Sequence, residues 1–203
     1  MTKNCIDGNK NCEDEWESRY LSGQIGWDRG QVSPSILALL NDENFTPCRI
    51  LIPGCGQGYE VALLAERGFD VTAIDFAPSA IKVVRGLLAQ QGLKATVVQA
   101  DFFNWQPDTP VDAIYEQTSL CALHPDRWQA YEELLRLWLK PGGRLFANFM
   151  QTNQPGGPPY HCSIDEMHKL FNSANWIWQN SPLKQIDHPS GKHELATVLT
   201  HKQ

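Results

Sequence analysis

The sequence lacks the features that mark several classes of protein. No apolar run approaches the roughly 18 residues of a membrane-spanning helix. There is no internal repeat, low-complexity stretch or interdomain linker, and 203 residues fit one domain. The polar, acidic N-terminus has neither an apolar signal region nor an Arg-rich amphipathic pattern. We therefore expect no membrane partner and no secretory or transit signal.

Basic patches and metal-ligand spacings are also missing. The formal net charge is −6, and the lysines and arginines are scattered, which argues against a nucleic-acid-binding surface. The six cysteines form no CxxC pair, and the six histidines have no ligand spacing, so we expect no metal. Reduced cysteines in the cytoplasm are favoured over disulfides, with a monomer as the default.

What is present is a regular alternation of short apolar strands and helices. This pattern is typical of an α/β protein with a mostly parallel sheet covered on both faces. We predict a disordered tail over residues 1–12 and one domain over residues 13–203, with a helix over 125–139 and a turn at "KPGG". The strands are predicted at residues 49–52, 69–75, 95–99, 111–115, 144–150, 176–179 and 195–200.

The stretch "LIPGCGQGYE" follows the first predicted strand and places glycines at positions 54, 56 and 58. In a doubly wound fold, the first strand–helix turn receives a nucleotide, and an acid at the end of the next strand, here Asp75, binds the ribose. The dinucleotide fingerprint needs its third glycine where Tyr59 stands, so a nicotinamide oxidoreductase is disfavoured. A tight turn without a ligand is the simpler alternative.

The G-x-G-x-G spacing with Asp75 resembles motif I of the class I methyltransferases. The resemblance implies S-adenosylmethionine as cofactor and S-adenosylhomocysteine as product. The methionine part of S-adenosylmethionine would lie over Gly54, Gly56 and Gly58, and its ribose would meet Asp75. Asp101 and Phe102, after the third strand, would then meet the adenine; helix capping is the alternative for Asp101.

Six segments together resemble the thiopurine S-methyltransferase family, which includes thiol and halide methyltransferases, over residues 13–200. They are "EWESRYLSGQIGWDRG", "GCGQGYE", "ADFFNW", "DAIYEQTSLCALHPDRW", "LKPGGRL" and "GGPPYHCS". The resemblance implies a Rossmann-like, seven-stranded class I methyltransferase sandwich with helices on both faces and an antiparallel last strand. It also implies an N-terminal helical lid over residues 13–45.

By this resemblance, Trp16, Tyr20 and Trp27 cover the cofactor and exclude water, and aromatic faces attract a sulfonium cation. Packing in the core is the alternative for each of these aromatics. Glu60 matches a cofactor-binding acid of the family, and it also suits the first turn of a helix.

The acceptor end of the site is predicted after the fourth and fifth strands. Glu116 is a predicted catalytic residue and cofactor ligand, and Gln117 is predicted to bind substrate. The resemblance implies that Tyr160 is catalytic and that Tyr160 and Lys192 bind substrate. Packing on the neighbouring prolines is the alternative for Tyr160. Mammalian relatives carry Asp-Arg and plant relatives Asp-Tyr at positions 116–117, so Gln117 makes an anionic aromatic acceptor less expected.

The sequence therefore predicts methyl transfer from S-adenosylmethionine to a small thiol or related sulfur, selenium or halide nucleophile by in-line displacement. A thiol with a pKa near about 8.5 needs no strong dedicated base, and we find none in the sequence. The alternatives are a small-molecule oxygen or carboxyl methyltransferase and a non-catalytic sensor of S-adenosylmethionine.

Overall fold

The computed structural model describes residues 13–43 and 45–202, and its centre is a mixed sheet with helices on both faces. The α-helices are α1 (Glu13–Leu21), α2 (Pro34–Leu40), α3 (Tyr59–Glu66), α4 (Pro78–Gln91), α5 (Ser119–Ala122), α6 (Trp128–Trp138) and α7 (Ile164–Leu170). The strands are β1 (Arg49–Pro53), β2 (Asp70–Asp75), β3 (Thr96–Gln99), β4 (Val111–Gln117), β5 (Leu139–Gln151), β6 (Trp176–Trp178), β7 (Lys184–Asp187) and β8 (His193–His201). The predicted tail over 1–12 lies outside the described residues.

The strand order confirms the predicted class. The order across the sheet is β3-β2-β1-β4-β5-β8-β6, with β7 also on β8. Neighbours from β3 to β5 are parallel, and β8 is antiparallel to β5, β6 and β7. The last strand therefore runs against all the others, as the sequence predicted.

The predicted number of strands was wrong by one, because the edge of the sheet is divided. On the side away from β5, the end of β8 pairs with β6 and its beginning pairs with β7. The described part of the sheet is thus seven positions wide but contains eight strands. The sequence of β7, KQID, is short and mostly exposed, so no apolar run marked it.

Alternation along the strands builds a separate core on each face. Ile50 and Tyr115 face α2, α3 and α4, whereas their neighbours Leu51 and Ile114 face α5, α6 and α7. Both faces of β1 and β4 are therefore buried, which is why β1 is almost continuously apolar and the middle of β4 is Ala-Ile-Tyr.

Three other local predictions need correction. "KPGG" is not a turn between elements but lies inside β5, where the pairing with β4 shifts register and Gly142 has a φ of 80°. The helix predicted over 125–139 divides into a 3₁₀ turn, Pro125–Arg127, and α6. The short helix α5 was not predicted, because its four residues are too few for a periodic pattern.

The helices of the described residues are also too short or too polar to cross a bilayer.

Candidate active site

The larger of two adjoining cavities in the described part of the chain lies at the carboxyl ends of three parallel strands, where this type of sheet binds ligands. We call it the main cavity. It has a volume of about 320 Å³, and Gly54 after β1, Asp75 at the end of β2 and Thr118 after β4 contribute to its wall. A smaller cavity of about 60 Å³, the side recess, adjoins it and shares Trp27, Gly54 and Thr118 with it.

The N-terminal segment supplies an aromatic wall to the main cavity. Trp16 and Tyr20 each pack edge-to-face on Trp27, with ring centroids 5.3 and 5.5 Å apart. Burial, followed by the charge of Asp75, raises the pKa of Tyr20, which keeps its hydroxyl neutral. All three predicted aromatics thus reach the cavity, and the action of this segment as a lid stays a prediction.

Helix α1 is held in place by the start of α4. The carboxylate of Glu17 accepts hydrogen bonds from the backbone N–H of Ser79 at 2.9 Å and from its hydroxyl at 2.6 Å. Arg19, two residues after Glu17, lies on the wall of the main cavity and pairs with Glu15 at 2.7 Å. No pattern in the sequence marked Arg19 as a site residue.

Asp75 is the buried acid of the site. Its Oδ2 accepts from Gly56 N at 2.9 Å and its Oδ1 from Ala77 N at 3.0 Å. Burial raises the pKa of Asp75, and the two amide donors oppose that shift. The carboxylate is therefore fixed in orientation against the glycine turn, with lone pairs remaining for a hydroxyl donor.

The three glycines of the turn have different roles. A Cβ on Gly54 would collide with the hydroxyl of Ser119, which donates to Pro53 O at 2.8 Å, so glycine lets α5 approach the turn. Gly56 lies in the side recess. Gly58 lines neither cavity; a Cβ there would lie 2.7 Å from Val84, so its absence allows α3 to pack on α4. The cofactor role predicted for Gly58 is not supported by this position.

Glu116 does not lie at the mouth of the site, contrary to the prediction. Its side chain is buried beneath α5, where Oε1 accepts from Leu120 N at 2.7 Å and Oε2 has no partner. Burial raises the pKa of Glu116 to about 8. The carboxyl group holds α5, and direct contact with cofactor or acceptor would require the structure to rearrange.

Gln117, the next residue, faces the side recess within a buried polar network. Its Nε2 donates to Glu194 Oε2 at 3.1 Å, and its Oε1 accepts from Tyr115 OH at 2.9 Å. Arg29 donates to the same Glu194 oxygen at 2.8 Å. Glu60 also lines this recess, and its Oε1 accepts from Ser33 N at 2.9 Å.

Asp101 adopts the simpler role that the sequence left open, and Tyr160 packs on a neighbouring residue other than the prolines. Asp101 caps the 3₁₀ turn Phe102–Asn104, accepting from Phe103 N at 2.9 Å, and does not line the main cavity, whereas Phe102 does. The ring of Tyr160 packs on Gly157, where a Cβ would lie 2.6 Å from it. Tyr160 lines neither cavity, although Pro158 and Pro159 of its loop line the main one.

The connection between β7 and β8 forms another wall of the main cavity. It contributes Lys192, as predicted, together with His188 and Ser190, which no sequence pattern marked because β7 has no apolar run. Ser190 N donates to His188 Nδ1 at 3.1 Å, which leaves the proton on Nε2, 3.2 Å from Trp27 O. Burial and the charge of Arg29 lower the pKa of His188, so the ring is neutral.

The main cavity offers no uncommitted base among the described residues of its wall. Both oxygens of Asp75 accept amide hydrogen bonds, and both nitrogens of His188 are engaged. Burial raises the pKa of the Cys121 thiol well above its usual value, so Cys121 is a poor nucleophile. The site can bind and align molecules but has no evident proton acceptor for a weakly acidic one.

Comparisons with known proteins agree with this geometry. The sequence profile of the thiopurine S-methyltransferase family matches residues 11–203. Probable thiol methyltransferase 2 of Arabidopsis thaliana is 30% identical over 165 residues, covering 80% of this chain and 73% of that protein. Thiopurine S-methyltransferase of Legionella pneumophila (strain Corby) is 29% identical over 194 residues, covering 86% and 87%.

A solved structure supports the fold. The 1,6-didemethyltoxoflavin-N1-methyltransferase of Burkholderia thailandensis, solved with S-adenosylhomocysteine, superposes with a TM-score of 0.76 and covers 94% of this chain and 87% of that one. Its sequence identity is 21%, so the likeness concerns the fold alone.

Proposed function

The chain belongs to the thiopurine S-methyltransferase family and is an S-adenosylmethionine-dependent methyltransferase, and we propose that its acceptor is a small thiol or a related sulfur, selenium or halide nucleophile. The observation that carries this proposal is the lack of an uncommitted base in the described wall of the main cavity. A thiol with a pKa of about 8.5 is partly ionised at neutral pH and attacks without a dedicated base. An alcohol acceptor would need one.

The residues at the glycine turn fit the cofactor. The carboxylate of Asp75 faces the main cavity with its orientation fixed by two amides, which suits a pair of ribose hydroxyls. When bound, S-adenosylmethionine supplies a methyl group that its sulfonium already makes electrophilic. Trp16, Tyr20 and Trp27 then exclude water and place aromatic rings beside a cation.

The rest of the main cavity suits a small acceptor. Leu123, Met150, Pro158 and Pro159 make part of its wall apolar, and Lys192 adds a positive charge. Lys192 forms no ion pair with any described residue, so its ammonium is available to a thiolate or other anion. The protein's contribution to rate is alignment of acceptor and methyl group in a site closed to water.

Release of S-adenosylhomocysteine tests the proposal with acceptors that differ in one atom. Ethanethiol and ethanol form the matched pair, with bisulfide and iodide as smaller nucleophiles. We expect product with ethanethiol and none with ethanol. The control is Asp75→Asn, which keeps the size of the side chain and removes its charge, and should lose cofactor affinity.

The alternatives predict different outcomes of the same assay. Faster turnover of ethanol than of ethanethiol would identify an oxygen methyltransferase. Cofactor binding that the control loses, without product from any acceptor, would indicate a sensor.

We also propose a cytoplasmic monomer that acts on small molecules and not on nucleic acid. The free thiols of Cys48, Cys55, Cys121 and Cys162 support a reducing compartment, and the formal net charge of −6 gives no attraction to phosphate backbones.

A further inference from the structure

The side recess has a charge pattern that the proposed function has not used. Arg29 is the only lysine or arginine among its described lining residues, and Asp28 and Glu60 contribute carboxylates. The recess shares Gly54, Trp27 and Thr118 with the main cavity, so one elongated molecule can enter both. A buried recess with both signs of charge matches a small zwitterionic group.

Arg29 is fixed in this recess with part of its guanidinium unused. Its side chain is 8% exposed, Nη1 donates to Asp187 O at 2.7 Å, and Nη2 donates to Glu194 Oε2 at 2.8 Å. The third nitrogen, Nε, is buried and has no hydrogen-bond partner. A buried donor without a partner is unfavourable, and a guanidinium presents its N–H groups in a planar fork that suits a carboxylate.

Glu194 sets the orientation and the charge of Arg29. The carboxylate of Glu194 is fully buried, and one of its oxygens accepts from both Arg29 and Gln117. The ion pair compensates the charge of Arg29, and Asp28 and Glu60 remain in the recess as carboxylates that can accept from an ammonium. A ligand that carries an ammonium and a carboxylate together adds no net charge to this space.

The methionine end of S-adenosylmethionine carries an ammonium and a carboxylate together. Asp75 lines the main cavity, and Gly54 and Gly56 of the glycine turn line the recess, so a molecule whose ribose met Asp75 would have its other end available to the recess. We propose that Arg29 binds the carboxylate of S-adenosylmethionine, with its guanidinium plane set by Glu194. The inference rests on the proposed function only in taking S-adenosylmethionine as the methyl donor.

The test compares two ligands that differ only in that carboxylate. Dissociation constants of S-adenosylmethionine and decarboxylated S-adenosylmethionine are measured by calorimetry, without acceptor, for the wild type and Arg29→Gln. We expect Arg29→Gln to weaken S-adenosylmethionine about 10- to 100-fold and the decarboxylated ligand less than about threefold. Equal weakening of both ligands would overturn the proposal and leave Arg29 as a structural tie.

Further variants separate binding from folding. Arg29→Lys keeps the charge but not the fork, and should give an intermediate loss for S-adenosylmethionine alone. Glu194→Gln removes the competing anion, and should retain the preference for the carboxylated ligand; loss of that preference would count against the proposal. Arg85→Gln, which removes an exposed arginine bonded to Val97 O, controls for net charge. Because no acceptor is present, a failure of thiol methylation would not affect these results.

Discussion

His188 Nε2 lies 3.2 Å from the carbonyl oxygen of Trp27, and this contact joins the β7–β8 connection to the loop that follows α1. Both segments line the main cavity, although they are 161 positions apart in the sequence. Arg29 adds a second tie through Asp187 O. The aromatic wall and the wall that carries Lys192 are thus held to each other.

His188→Asn should reduce stability by an amount that depends on pH. The pKa of His188 is lowered in the folded protein, so as pH falls below about 6.5 the unfolded chain gains a proton that the folded one excludes. The contribution of His188 to the free energy of unfolding is therefore present above that pH and is lost on acidification. We expect a deficit of about 1 kcal/mol for the variant at pH 7.5 and a smaller one at pH 5.5, measured by urea unfolding. A deficit that grows toward pH 5.5 would contradict a neutral His188.

Glu116→Gln should show the opposite pH dependence. The folded-state pKa of Glu116 is about 8 against a usual 4.5, so wild-type stability falls as pH rises between these values while the unfolded chain ionises. The slope attributable to this group approaches about 1.4 kcal/mol per pH unit. The variant lacks that slope. From pH 5 to pH 8, the unfolding free energy of the wild type should therefore fall relative to that of Glu116→Gln. Parallel curves would show that Glu116 is ionised in the folded protein.

Gly58→Ala should cost more stability than Gly92→Ala. Both glycines have positive φ, 77° and 66°, so each alanine suffers left-handed strain of about 1–2 kcal/mol. Only the Cβ at position 58 also meets Val84, whereas nothing lies within 4 Å of the one at position 92. Urea unfolding of the two variants measures the difference, which we expect to be about 1–3 kcal/mol. Equal losses of unfolding free energy in the two variants would show that Gly58 has no packing role.

Lys192→Met should affect the acceptor and not the cofactor. We expect kcat/KM for bisulfide to fall about tenfold, the value of one charge-assisted hydrogen bond, with the dissociation constant of S-adenosylmethionine unchanged. Lys184→Met, which removes an exposed lysine on β7, serves as the control. A loss of cofactor affinity in Lys192→Met would place Lys192 at the other end of the site.

The predictable parts of the fold are the strands whose burial shows directly in their own run of residues. β1, β2 and β4 are covered on both faces, so their apolar runs stand out, and the glycine turn and Asp75 follow from their position after two such strands. β7 and α5 gave no such pattern, being short and, for β7, mostly exposed. His188 and Ser190 depend on β7 for their place in the cavity, and so they could not be found.

The misplacement of Glu116 follows from side-chain alternation. Tyr115 and Gln117 lie on one face of β4, and Ile114 and Glu116 on the other, beneath α5. The sequence indicated that β4 ended near Tyr115, and a residue beyond a strand is free to face the site. The strand instead continues to Gln117, and two more residues of alternation turn Glu116 into the core.

The position of β8 has a consequence for how the protein is made. It is translated after β6 and β7, yet it lies between them and β5 and provides hydrogen bonds to all three. On the ribosome, β6 and β7 therefore emerge before the strand to which they pair exists. Glu194 lies on that strand, and His188 follows β7, so the ion pair between Arg29 and Glu194 and the wall that contains His188 form only after β8 has been synthesised. The nascent chain can pair β1 to β5 before it has a complete place for either substrate.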